Sequence, residues 1–135
     1  LLMPKPANDK ELQQYSPVVL AYIGDAVFEL MVRTHIATSG PRKIKNIHSD
    51  TVDIVKAASQ ARMVRHIFKD LSEEEQEIVR RGRNAKTNPP KNTVLHDYKL
   101  STGFEALLGY LYLKGEEERL QDLIQRALDE GQPDP

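Results

Sequence analysis

Apolar residues recur at three- and four-residue spacing through most of this chain, while sustained period-two alternation rich in Val, Ile and Thr is missing. Such spacing lines up one face of a helix and cannot fill one face of a strand, so the sequence predicts an all-α fold. Ser16-Pro17 opens the first long helix: a hydroxyl caps free amides, and proline sits where its missing N–H costs nothing. Leu20, Ile23, Val27, Leu30 and Met31 form its expected buried stripe, and Ser39-Gly40-Pro41 should end it. A second long helix is predicted from about Ser49 to Lys69, with Val52, Val55, Ala58, Val64 and Ile67 buried. Ser72 and Glu75 form a capping-box pattern that starts a third, running out near Ala85. Thr87-Asn88-Pro89-Pro90 reads as a loop, and two more helices follow, roughly Leu100 to Lys114 and Glu116 to Glu130, parted by Gly115.

A chain of 135 residues, 39% hydrophobic, can bury a core unaided, and a single domain over 1–135 is expected. The absence of cysteine removes disulfide frameworks and thiolate zinc sites and fits a cytoplasmic setting. The longest apolar run, Ala106 to Leu113, is far short of the roughly 20 residues that cross a bilayer. A net charge of -1 would by itself argue against a nucleic-acid partner, but its distribution matters more. From Arg80 to His96 there are five basic residues, Arg80, Arg81, Arg83, Lys86 and Lys91, and no acid.

Two acidic residues interrupt apolar helices. Asp25 lies within YIGDAVFEL, and Glu105 within STGFEALLGYLYL. An ionised carboxylate near a core is costly unless paired or holding a metal. For Asp25 the alternatives are a solvated helix edge or a pair with Arg33 or another base. Gly24 and Gly109 lie close by, and glycine inside a helix costs about 1 kcal/mol relative to alanine. Close backbone approach would compensate, letting the two helices cross tightly and bring both carboxylates to one spot. Facing carboxylates without an obligatory basic partner favour a hard divalent cation, magnesium above all, with manganese as its substitute. Metal-assisted hydrolysis is the chemistry such a pair supports.

The helix dipole accounts for Arg80 and Arg81 near a helix C-terminus. It leaves Gly82 unexplained, as well as the basic and amide residues that continue through Asn84, Lys86, Asn88, Lys91 and Asn92, a row suited to a phosphate backbone. The runs Glu73 to Glu75 and Glu116 to Glu118 read as solvated first turns. His96-Asp97 resembles the dyad of HD-type phosphohydrolases, with His35 or His48 upstream and Asp122 or Asp129 downstream. A turn of helix leading to Leu100 is the competing reading.

Taken in order, YIGDAVFEL, RRGRNAK and STGFEALLGYLYL resemble the ribonuclease III family, and Mini-ribonuclease III within it, over about Leu20 to Arg126. The resemblance implies an all-helical catalytic domain without a double-stranded-RNA-binding domain. It also implies a homodimer, magnesium-dependent endonucleolytic cleavage of double-stranded RNA leaving short 3′ overhangs, and maturation of the large-subunit ribosomal RNA precursor. It leaves open assistance from a large-subunit ribosomal protein. Asp25 and Glu105 fall on the family's catalytic metal ligands, while further acids of the broader pattern are replaced by Val18, Ala21 and Thr102. Glu29 reads as a surface ion pair, with a water-mediated role as the alternative. Phe28 and Met31 are candidates for the dimer interface or the core. A non-catalytic, ribonuclease III-like RNA-binding component of the ribosome is the reading from another class.

Overall fold

The computed structural model describes residues 3–130, and every regular element among them is helical. The elements are α1 (Asp9–Leu12), α2 (Pro17–Ala37), α3 (Ile44–Val55), α4 (Ala57–Ile67), a 3₁₀ turn (Phe68–Asp70), α5 (Glu73–Asn84), α6 (Leu95–Lys114) and α7 (Glu117–Glu130). None of these helices is long and apolar enough to cross a membrane. The expected caps are present: Ser16 Oγ accepts from Val19 N–H, and Ser72 and Glu75 close a reciprocal capping box. Gly115 ends α6 in the left-handed conformation at φ 82°, where glycine carries no Cβ penalty.

Helix α6 is the axle of the fold. Its residues from Ser101 to Leu111 are buried apart from the partly buried Glu105, and α2, α4 and α5 pack around it. Two pairs of glycines set how close the neighbours come. A Cβ on Gly24 would lie 1.7 Å from the Glu105 carbonyl oxygen, and one on Gly109 would lie 1.9 Å from that of Leu20, so α2 and α6 touch backbone to backbone. A Cβ on Gly82 would lie 2.7 Å from Gly103 Cα, so α5 meets α6 in the same way. Gly82 therefore has a packing role, and no nucleic acid is needed to explain that glycine.

Several expectations are corrected. The helix predicted over Ser49 to Lys69 is two helices, because Lys56 is extended (φ -66°, ψ 155°) and the chain turns there. Val52 and Ala58 are exposed, while Val64 and Ile67 are buried as expected. On α2 the core stripe is Leu20, Gly24, Phe28, Val32 and Ile36; Ile23, Val27 and Met31 are only half-buried and Leu30 is exposed. Phe28 belongs to the core, meeting Phe104 edge-to-face with centroids 5.4 Å apart. Glu75 is buried rather than solvated, gripped by Arg119 through Nε at 2.9 Å and Nη2 at 2.8 Å, which fastens α7 to the start of α5. The Arg119 hydrogen bonds hold the Glu75 carboxyl below the usual range despite its burial. His96 and Asp97 lie in the first turn of α6, which begins at Leu95 rather than near Leu100.

Candidate active site

The backbone contact at Gly24 and Gly109 carries the adjacent side chains of Asp25 and Glu105 to the same place. Asp25 is exposed and Glu105 partly buried. Burial pushes the Glu105 carboxyl up to about 9, and the hydrogen bond and negative charge of Asp25 push the same way, against a hydrogen bond from the Gln60 amide. The hydrogen bond between Asp25 and Glu105 places the two carboxyl groups in contact. Arg33, the alternative partner for Asp25, instead donates to Glu29 at 2.9 Å, which leaves Glu29 in the surface ion pair expected of it. Among the described residues, no basic side chain neutralises Asp25 or Glu105.

Gln60 was not legible as a site residue. It lies in the first turn of α4 and is 2% exposed. Its Nε2 donates to Val55 O at 2.7 Å, and its Oε1 is buried without a partner. An unsatisfied buried acceptor costs on the order of 1–3 kcal/mol. The available signal was periodicity: Gln60 precedes the buried Val64 and Ile67 by one and two turns, so a polar amide occupies a core-facing position.

The donor set is two carboxylates in contact, hard oxygen groups with no compensating base, with the buried Gln60 amide beside Glu105. That set fits a hard divalent cation of the magnesium type, which would offset the burial and the neighbouring negative charge that push the Glu105 carboxyl up. The described residues hold no group of three or more acidic or histidine ligands, so each chain offers this pair. The positions of the family's other acids carry none here: Val18 is exposed, Ala21 is buried, and the Thr102 hydroxyl donates to Tyr98 O at 3.1 Å.

The basic segment forms the end of α5 and the loop beyond. Arg80, Arg81, Asn84, Lys86 and Lys91 are exposed, and Arg83 is half-buried with Nε donating to Asn84 Oδ1 at 3.3 Å. Arg80 also stacks its guanidinium over the Phe68 ring at 5.5 Å. The carboxylates invoked by the HD-type reading are engaged elsewhere: Asp97 pairs with Arg65 at 3.0 Å, Asp122 with Arg119 and Arg126, and Asp129 accepts from Gln125.

Residues 18–116 match the Ribonuclease III domain. The chain is 52% identical over 114 residues to a Mini-ribonuclease 3 of Thermoanaerobacter, covering 84% of this chain and 80% of that protein. The chain belongs to the ribonuclease III family. A Mini-ribonuclease 3 of Clostridium tetani is 43% identical over 122 residues, covering 89% and 81%. A crystal structure of a Fusobacterium nucleatum protein superposes with a TM-score of 0.80 at 31% identity, covering 87% of this chain and 95% of that one. Membership in the family, in its Mini-ribonuclease 3 branch, makes this ribonuclease III domain an endoribonuclease, and Asp25 and Glu105 both lie inside the matched segment.

Proposed function

We propose that this ribonuclease III domain cuts double-stranded RNA by magnesium-dependent hydrolysis at Asp25 and Glu105, and that its natural substrate is the precursor of large-subunit ribosomal RNA. One observation carries the reading: two carboxylates from crossing helices meet without a basic counter-charge. Asp25 and Glu105 would hold the ion, with manganese able to replace magnesium. When bound, the ion supplies an activated water and stabilises negative charge developing on the phosphodiester. Asp25 is exposed, on the side from which the RNA backbone would approach, and Glu105 is deeper and partly buried. Duplex RNA of A-form is recognised chiefly by shape and backbone, which suits the row Arg80, Arg81, Arg83, Asn84, Lys86 and Lys91, exposed apart from the half-buried Arg83.

The dimer belongs to the same reading. The second apolar face of α2 is uncovered: Tyr22 is 79% exposed, with Val18, Val19 and Leu30 exposed beside it. Asp25 lies on that face, next to a groove of about 570 Å³ lined by Tyr22, Ile23, Ala26, Leu30, Met31 and Tyr112. A two-fold partner on α2 would cover these side chains and set one carboxylate pair against each strand of a duplex. Tyr22→Glu should shift the chain from dimer to monomer in sedimentation; an unaltered mass for the variant, or a monomeric wild type, would count against this face.

The test of function is cleavage of a ribosomal-precursor duplex in magnesium, beside its separated single strands and a chelator-treated control. Cuts confined to the duplex and abolished by chelation are expected. Duplex binding without cleavage under any divalent ion would favour the non-catalytic RNA-binding component instead. Replacing Arg83 and Lys86 together by alanine should weaken duplex binding and lower the slope of log affinity against log salt by about 2, without moving the cut. An unchanged slope would remove these residues from the RNA contact.

A further inference from the structure

Gln60 makes more contacts than a helix tie requires. Its amide cannot be turned around, because Val55 O is an acceptor only and the Nε2 must face it. That bond fastens α4 to the end of α3, as does the neighbouring Ser59 Oγ, which donates to Asp53 O at 2.6 Å. Fastening two helices accounts for one N–H of Gln60 and for nothing else in the group. The same amide also lies beside the Glu105 carboxyl group and favours its charged form, and its Oε1 is left without a partner in a residue 2% exposed. An apolar side chain would fill the space without stranding an oxygen.

We propose that Gln60 is the positioning residue of the carboxylate pair: its amide spans Val55 O and the Glu105 carboxylate and holds Glu105 turned towards Asp25, so that a divalent cation meets a preformed set of oxygens. The inference rests on the reading of Asp25 and Glu105 as a cation site. Gln60 acts through Glu105, and the α3–α4 break at Lys56 acquires a purpose, since it presents Val55 O to the amide.

The test is Mn²⁺ binding to the full chain without RNA, read from the loss of the free-ion electron paramagnetic resonance signal. Three proteins are compared: wild type, Gln60→Met and Ser59→Ala, each checked for helicity by circular dichroism. Gln60→Met should bind Mn²⁺ about tenfold more weakly, the usual effect of losing a group that orients a ligand. Ser59→Ala, which cuts the other α4-to-α3 tie and leaves Glu105 alone, should bind as wild type does. Equal binding by Gln60→Met and wild type, or equal weakening in Ser59→Ala, would overturn the proposal. A wild type that binds no Mn²⁺ at all would instead sink the cation site itself. Should Gln60→Met fail to fold, the wild-type Gln60 side-chain amide resonances decide: they should move on Mg²⁺ titration and stay fixed in Asp25→Asn, and resonances that do not move in wild type overturn the proposal.

Discussion

Asp25→Asn and Glu105→Gln should each lower duplex cleavage by about 10³-fold or more while leaving duplex affinity unchanged. Both substitutions preserve side-chain size and keep one oxygen acceptor, so the crossing of α2 and α6 at Gly24 and Gly109 is undisturbed. What each removes is one of the two negative charges that draw a divalent cation to this spot. Metal-derived charge stabilisation is worth several kcal/mol in such reactions, and each 1.36 kcal/mol is a factor of ten in rate. Single-turnover rates at saturating enzyme separate this loss from any change in binding, which depends on Arg80 to Lys91. Retention of more than about a tenth of wild-type cleavage by either variant would move the chemistry away from the pair.

The second large effect is on stability. Glu105 titrates at about 9 in the metal-free fold, against an ordinary carboxyl value of 4.5. Below 4.5 both folded and unfolded chains carry the proton. Between 4.5 and 9 the unfolded chain has released it and the folded chain retains it, so stability falls as pH rises through that window. Glu105→Gln removes this titration. In chelator the variant should therefore melt higher than wild type at pH 8, by about 5 °C or more, and close to wild type near pH 4.5. Magnesium should raise the wild-type Tm at pH 8 and leave the Glu105→Gln Tm unmoved. Parallel Tm profiles across the pH range would mean that Glu105 is not held buried beside Asp25.

The sequence was most readable where one residue type has one physical use. Ser16-Pro17, the Ser72/Glu75 box and Gly115 are local signals, and each bounds the helix expected of it. Gly24 and Gly109 were readable as a pair because glycine inside an apolar helix is destabilising unless another backbone approaches, and each does meet a carbonyl oxygen. The α2 core stripe was misplaced because the helix is apolar on two faces, and periodicity does not say which one faces α6. The break at Lys56 has no glycine or proline to announce it; side-chain bonds from Ser59 and Gln60 back to Asp53 O and Val55 O span it. Glu75 reads as a solvated acid from the sequence because its partner, Arg119, lies 44 positions away. Gln60 carries no sequence signal of its own for the same reason: an amide looks like ordinary helix surface until α6 is laid against it.

Crystals of the chain soaked in Mn²⁺ and recorded at the manganese absorption edge address the central claim most directly. An anomalous peak lying between the carboxylates, within roughly 2.5 Å of an oxygen of each, is the expected result. Anomalous density that lies elsewhere, or that touches only one of Asp25 and Glu105, would contradict a shared cation at the crossing of α2 and α6.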